Sequence, residues 1–184
     1  SKFLLEETAR IILENCQPNV RIFSDEIYED IIFDGKQHHS ISSVPEMAGR
    51  TIIAGGFSKT FAWTGGRVGY AVFPTIEEAD EFKRLNINYF SCVPPYNQEA
   101  ARVALESPLS EQAVEKMVET FESRRNLICQ QINEIPGISC QKPGGAFYLF
   151  PNISGICENL GLIEKHDSLP LEKQSSPANI FQMF

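Results

Sequence analysis

One lysine and one arginine lie among small and apolar residues in the stretch Gly56-Phe57-Ser58-Lys59-Thr60-Phe61-Ala62-Trp63-Thr64-Gly65-Gly66-Arg67-Val68-Gly69. Burial among such residues disfavours the charged ammonium, and a neutral lysine amine is a nucleophile that forms a Schiff base with an aldehyde. Glycine lets the backbone approach a ligand closely, and the guanidinium of Arg67 can bind a phosphate through two hydrogen bonds. The stretch therefore predicts a ligand that carries both an aldehyde and a phosphate.

An aldehyde and a phosphate on one ligand describe pyridoxal 5'-phosphate, and a second stretch supports this prediction. The β-rich run that starts at Val20 ends at Asp25, and Tyr28 follows three residues later. In open α/β sheets, ligands lie beyond the carboxyl ends of the strands. Asp25 and Lys59 each follow a strand-like run, so both are expected at one site. A carboxylate is the expected partner of this cofactor's pyridine nitrogen.

These residues resemble those of the class I and II aminotransferases, which are fold-type I pyridoxal-phosphate enzymes that include the aspartate and aromatic aminotransferases. The stretch from Gly56 to Gly69 is similar to the family's lysine-attachment signature. The pair Asp25-x-x-Tyr28 is similar to its cofactor-ring motif, and Gly144-Gly145-Ala146-Phe147-Tyr148-Leu149 to a strand of its small domain. The likeness extends over essentially the whole chain.

The resemblance implies a role for each matching residue. Lys59 would hold pyridoxal phosphate as a Schiff base and would then move a proton between the substrate's Cα and the cofactor's C4′ carbon. Asp25 would keep the pyridine nitrogen protonated, Tyr28 would hydrogen-bond the phenolic oxygen of the ring, and Arg67 would bind the phosphate. Gly56 stands where some members have a serine that reaches the phosphate, so only a backbone contact is expected there.

The family's architecture implies an α/β fold. We expect part of a three-layer fold-type I large domain with a mostly parallel sheet, followed by part of a smaller α+β C-terminal domain. The apolar pattern predicts a long helix from Ser110 to about Glu134, with short strands after it at 138–141 and 146–150. We place the domain boundary within this helix, which assigns residues 1–112 to the cofactor-binding domain and 113–184 to the small domain. An irregular loop is expected at 155–176 and a new helix at 177–184.

Several parts that the family needs are not found in this sequence. No Asn-Pro-x-Gly turn and no glycine-rich phosphate loop precede Asp25. In the family, the arginine that binds the substrate's α-carboxylate normally follows the small-domain strands, near the C-terminus. We therefore expect the chain to be a fragment of a longer enzyme.

Charge and cysteine content exclude several classes of protein. The net charge of −8 argues against nucleic-acid binding, which selects basic patches. The five cysteines form no CxxC pair, which favours a reducing, cytoplasmic location over a disulfide framework or a zinc site. No apolar run approaches the roughly 20 residues that span a bilayer. The adjacent His38 and His39 are interpreted as solvated loop residues, so no metal site is predicted.

The predicted activity is transfer of an amino group from an amino acid to a 2-oxo acid, by a full-length homodimer. Two alternatives stay open. The same scaffold can carry β-elimination, decarboxylative condensation or cyclopropane-carboxylate synthesis, and each would use Asp25, Tyr28, Lys59 and Arg67. A non-catalytic binding module derived from this fold is the more distant alternative, and the intact lysine argues against it. The residues that select the amino donor in this family lie mostly outside this sequence.

Overall fold

The computed structural model describes residues 2–169. The chain divides into two compact units, Ser1–Val118 and Glu119–Phe184, and the division falls within one long helix. The assignment of residues 1–112 and 113–184 to two domains of a longer enzyme stays a prediction. No helix within residues 2–169 combines the length and the apolar character that a membrane crossing requires.

The first unit contains helices around a small sheet. Its helices are α1 (Lys2–Asn15), α2 (Phe57–Thr60), α3 (Ile76–Tyr89), α4 (Pro95–Glu106) and the first part of α5 (Pro108–Asn133). Its strands are β1 (Ile22–Asp25), β2 (Thr51–Gly56) and β3 (Gly69–Val72). Single 3₁₀ turns occur at Ile41–Ser43, Ala48–Arg50 and Thr64–Gly66.

The sheet has the order β1-β2-β3, with β1 parallel to β2 and β2 antiparallel to β3. The register pairs Asp25 with Ala54, and Gly56 with Gly69. The carboxyl ends of β1 and β2 and the amino end of β3 therefore lie at one edge of the sheet. This edge is where the sequence predicts the ligand.

Helix α1 packs on the first unit through a small apolar cluster. Ala9 of the helix and Met47 are fully buried, Ile41 beside them is 7% exposed, and Leu5 and Ile12 pack around this cluster. These positions of α1 are four or three residues apart, which places them on one face of the helix. Burial of this face fixes the segment that leads into β1.

The second unit differs from the sequence-based prediction in two places. Within the described residues, the strands predicted at 138–141 and 146–150 do not form. Ser139 and Asn152 instead form an isolated bridge, through the hydrogen bonds Ser139 N to Asn152 O (3.0 Å) and Asn152 N to Ser139 O (2.6 Å). A strand needs a neighbour to satisfy its backbone groups, and the positive φ of 56° at Ala146 turns the chain away from an extended path.

The second difference concerns the predicted irregular loop at 155–176. Its described part contains two helices instead, α6 (Ser154–Asn159) and α7 (Leu162–Asp167). Cys157 and Leu162 are buried between these helices, with Ile153 and Ile163 packed against them. A few widely spaced apolar residues are thus enough to form a small local core. The remainder of that loop and the helix predicted at 177–184 lie outside the described residues.

Candidate cofactor site

Three of the predicted site residues lie at or just after the carboxyl ends of two neighbouring parallel strands. Asp25 is the last residue of β1, and Tyr28 lies three residues beyond it. Lys59 lies on α2, which begins at Phe57 directly after β2. The structure brings two of these side chains together, since Lys59 Nζ lies 5.8 Å from the centroid of the Tyr28 ring.

The fourth predicted residue, Arg67, reaches the same edge of the sheet from the other side of the lysine loop. It lies two residues before β3, whose first residue Gly69 pairs with Gly56 at the end of β2. Its guanidinium Nη1 donates a hydrogen bond to the carbonyl of Thr64 over 3.0 Å. The side chain is exposed, so the guanidinium remains accessible to a ligand.

The backbone between Lys59 and Arg67 contains two non-glycine residues in the left-handed region. Ala62 has a φ of 50° and Arg67 a φ of 53°. Such residues cost energy, persist only where the surroundings hold them, and are common at ligand-binding sites. Asn97 helps to hold this backbone in place, because its side-chain amide donates a hydrogen bond to the carbonyl of Gly66 over 2.8 Å.

Close packing holds the lysine loop in this shape. A Cβ added at Gly66 would lie 2.2 Å from an atom of the Trp63 ring, so only glycine fits beneath the indole. The rings of Phe57 and Phe61, on either side of Lys59, stack with centroids 5.2 Å apart. Lys59 therefore stands on a rigid turn, which is the kind of support that a precise binding site needs.

The carboxylate of Asp25 also shapes the turn that follows β1. Its Oδ1 atom accepts a hydrogen bond from the backbone N–H of Ile27 over 3.2 Å. This contact is local and uses one lone pair of a group that can accept several hydrogen bonds. Asp25 is exposed at the sheet edge, so its carboxylate can both cap the turn and meet a ligand.

Sequence reasoning missed a buried carboxylate next to these residues. Glu26 is only 6% exposed. Its Oε1 accepts hydrogen bonds from the hydroxyls of Ser24 (2.9 Å) and Ser40 (2.6 Å), and its Oε2 lies 2.8 Å from Nε2 of His38. Burial alone would raise the pKa of Glu26, but the hydrogen bonds from Ser40, His38 and Ser24 outweigh it and hold the pKa below its ordinary value.

His38 is an exposed loop residue, as the sequence predicts, and its imidazole also contacts the buried carboxylate of Glu26. Glu26, Glu29 and His38 each offer a possible metal-ligand atom, all within 4.8 Å of one another. Hydrogen bonds already engage all three, since Glu29 accepts from the Tyr70 hydroxyl over 2.9 Å. Burial and this hydrogen bond raise the pKa of Tyr70 to about 12. The cluster is therefore explained as a structural network.

The four predicted side chains fit pyridoxal phosphate by their chemistry. They offer an amine, a phenol, a carboxylate and a guanidinium, which match an aldehyde, a phenolic oxygen, a ring nitrogen and a phosphate. The strand topology, rather than nearness in sequence, gathers these groups at one edge.

Comparison with known proteins shows the family and the fold of this chain. The family described as aminotransferase class I and II matches residues 3–168. An aspartate aminotransferase from Pyrococcus abyssi is 40% identical over 166 residues, which cover 89% of this chain and 40% of that protein. The solved structure of an aromatic aminotransferase from Pyrococcus horikoshii OT3 superposes with a TM-score of 0.73 at 40% identity, over 82% of this chain and 39% of that one.

A more distant solved structure contains the cofactor. It is that of a PLP-bound aminotransferase from Clostridium difficile 630, and it superposes with a TM-score of 0.72 at 26% identity, over 84% of this chain and 39% of that one. The chain spans about two fifths of the length of the curated relatives that it matches. Because the family model matches residues 3–168 and the fold is shared with solved aminotransferases, the chain belongs to the class I and II aminotransferase family.

Proposed function

We propose that the full-length protein is a pyridoxal-phosphate-dependent aminotransferase that moves an amino group from an amino acid to a 2-oxo acid. One observation carries this proposal: Lys59 stands at the carboxyl end of β2 with its Nζ over the Tyr28 ring. Membership of the family supports it, as do the aminotransferase names of the relatives. The alternative lyase and synthase activities have no comparable support among these names.

Each of the four residues has a part in holding the cofactor. Lys59 Nζ is the attachment point, and the Tyr28 hydroxyl is the hydrogen-bond donor for the phenolic oxygen. Asp25 pairs its carboxylate with the ring nitrogen, and Arg67 binds the phosphate through its guanidinium. When bound, pyridoxal phosphate supplies an electron sink for the negative charge that develops at the substrate's Cα.

Lys59 is also the residue best placed to move the reacting proton. A base must lie within hydrogen-bond reach of the proton that it removes. Lys59 would stay beside the reacting atoms, because α2 is held by the Phe57–Phe61 stack and by the hydrogen bond from Thr60 Oγ1 to Asp30 Oδ2 (3.0 Å). We infer that Lys59 Nζ takes the proton from the substrate's Cα.

Substrate class, assembly and location are part of the same proposal. The relatives are named as aspartate and aromatic aminotransferases. We therefore propose an α-amino acid as donor and a 2-oxo acid as acceptor. A homodimer is the proposed assembly of the full-length protein. All five cysteines are free thiols, which supports a reducing cytoplasm as its location.

The proposal is tested with Lys59→Ala in the full-length protein. Loss of a general base costs about 10²- to 10⁴-fold in rate, and loss of the attachment point adds to this. The measurement scores a panel of amino acids for 2-oxo acid formation and, separately, for ammonia release. Lys36→Ala, on an exposed turn, is the matched control. Transamination that survives Lys59→Ala would refute the proposal, and ammonia release by the wild type would favour the lyase alternative.

A further inference from the structure

The turn that carries Tyr28 ends in two adjacent carboxylates, and each contacts a different neighbouring element. Asp30 accepts a hydrogen bond from the Thr60 hydroxyl, with 3.0 Å between Thr60 Oγ1 and Asp30 Oδ2. Glu29 accepts a hydrogen bond from the Tyr70 hydroxyl over 2.9 Å. Thr60 belongs to α2 and Tyr70 to β3, so the segment after β1 is tied to both of these elements.

Both hydrogen bonds reach the stretch of chain that holds Lys59. Thr60 follows Lys59 directly and is only 5% exposed, so its hydroxyl needs a partner inside the protein. The Tyr70 ring lies against the backbone of β2, because a Cβ added at Gly55, four residues before Lys59, would be 2.4 Å from a ring atom. The two contacts therefore hold the turn against the chain on either side of Lys59.

The same turn is anchored in the core just after these carboxylates. Ile31 is fully buried, and its backbone N–H donates to the carbonyl of Tyr28 over 3.0 Å. The Tyr28 ring lies 5.8 Å from Lys59 Nζ, measured to the ring centroid. Contacts made by the neighbours of Tyr28 and Lys59 thus help to set the distance between these two side chains.

We propose that Asp30 and Thr60 are a positioning pair, which holds the Tyr28 hydroxyl where it can donate to the phenolic oxygen of pyridoxal phosphate. This inference rests on the proposed function, because it requires that Tyr28 meets the cofactor. The pair acts through Tyr28 and not through a contact of its own with the cofactor. A binding group has to be held within about 0.5 Å of its productive position, so a turn without the Asp30–Thr60 hydrogen bond presents the hydroxyl less precisely. The contact between Glu29 and Tyr70 supports the same turn from β3.

The experiment titrates the cofactor-free full-length protein with pyridoxal phosphate and records the absorbance of the bound cofactor as a function of pH. This pH dependence reports on hydrogen bonding to the phenolic oxygen. Thr60→Val removes the hydroxyl and keeps the branched shape of the side chain. It is expected to weaken cofactor affinity by roughly two- to tenfold. It should also move the pH midpoint of the absorbance change in the same direction as Tyr28→Phe does.

Two further variants separate positioning from a general loss of stability. Thr60→Ser keeps the hydroxyl and is expected to restore both the affinity and the pH midpoint. Thr51→Val is the matched control, because Thr51 is 3% exposed, donates to the carbonyl of Met47 over 2.8 Å and lies at the opposite end of β2. It removes a buried hydroxyl in the same way and should leave the midpoint unchanged. A midpoint that moves equally in Thr51→Val and Thr60→Val would overturn the positioning role.

A combined variant tests whether the pair acts through the Tyr28 hydroxyl. In Tyr28→Phe, the addition of Thr60→Val should change cofactor affinity by less than about twofold, because the hydroxyl that it positions is already absent. A full further loss of affinity would overturn the proposal. Asp30→Ala, at an exposed position, is expected to reproduce Thr60→Val and gives the same test if the buried substitution prevents folding.

The outcomes also separate this inference from the proposed function. Unchanged affinity and midpoint in Thr60→Val and Asp30→Ala, beside a Tyr28→Phe variant that changes both, would overturn the positioning role alone. A wild-type protein that gains no phosphopyridoxyl group at Lys59 on borohydride reduction would overturn the proposed function, and this inference with it.

Discussion

Lys59 Nζ lies 5.8 Å from the centroid of the Tyr28 ring, although the two residues follow different strands. Tyr28 comes after β1, and Lys59 comes after β2, which is parallel to β1. The distance is within the range over which an ammonium and an aromatic face attract each other. The contact places the phenol beside the amine at the sheet edge, so the two side chains can act on one ligand.

Replacing Tyr28 by phenylalanine keeps the ring beneath Lys59 and removes only the hydroxyl. If the hydroxyl hydrogen-bonds the cofactor, its loss costs about 1 to 1.5 kcal/mol, or roughly a tenfold weaker affinity for pyridoxal phosphate. Titration of the cofactor-free full-length protein, followed by absorbance, measures this. Tyr28→Leu removes the ring as well and is expected to bind more weakly still. An unchanged affinity and absorbance spectrum in Tyr28→Phe would show that the Tyr28 hydroxyl does not contact the cofactor.

Arg67 offers a pair of variants that separate binding from backbone strain. Arg67→Ala and Arg67→Gly both remove the guanidinium and are expected to weaken pyridoxal phosphate binding by roughly 10- to 100-fold. Only glycine relieves the left-handed backbone, so Arg67→Gly is expected to be more stable than Arg67→Ala by about 1 kcal/mol. Cofactor titration and chemical unfolding give the two quantities. Equal cofactor affinity in wild type and both variants would contradict the phosphate role.

Adjacent glycines in the lysine loop provide a test of its packing. A Cβ at Gly66 would collide with the Trp63 ring, whereas a Cβ at Gly65 would meet open space. Gly66→Ala is therefore expected to destabilise the protein by about 1 to 3 kcal/mol, and to weaken cofactor binding because the turn must shift. Gly65→Ala is the matched control and should change stability by less than about 0.5 kcal/mol. Similar stability of the two variants in thermal unfolding would contradict the described loop.

The buried network around Glu26 makes a prediction about acid stability. The folded state holds the pKa of Glu26 below its ordinary value of 4.5, so the carboxylate stabilises the fold above that pH. This contribution is lost as the pH falls through the lower, folded-state pKa, because the proton then binds the unfolded chain more readily. Glu26→Gln is expected to lose about 1 to 3 kcal/mol at pH 7.

The same variant should lose less stability than the wild type when the pH falls from 7 to about 3, since it has no carboxylate to protonate. Urea unfolding at the two pH values measures this difference. Glu115→Gln, at an exposed position of α5, is the control and should behave as the wild type. Parallel acid profiles for wild type and Glu26→Gln would show that the network adds no pH-dependent stability.

The positions of Lys59, Asp25 and Tyr28 at strand ends were accessible from sequence, because short β-rich runs precede each of them and the lysine stretch resembles one family. The contact between Glu26 and His38 was not accessible. It joins residues 12 positions apart in sequence, and only the path of the chain after β1 brings them together. A glutamate after Asp25 and a histidine pair carry no pattern that predicts their contact.

In the second unit, the sequence predicts strands that the described part of the structure does not contain. The apolar runs near Ser139 and Phe147 have strand-like composition, but the described residues there form isolated bridges rather than strands. Strand formation depends on a neighbour, whereas helix α5 satisfies its own backbone groups and was predicted to within about two residues at each end. In this unit, local periodicity therefore predicts the long helix α5 but not the short helices α6 and α7.

The central claim is that Lys59 is the attachment point of pyridoxal phosphate. Borohydride reduction of the full-length protein with the cofactor bound, followed by peptide mapping, tests it most directly. We expect a phosphopyridoxyl group confined to Lys59, and no labelling at that peptide in Lys59→Ala. Labelling at another lysine with Lys59 unmodified, or label spread evenly over surface lysines, would contradict the claim.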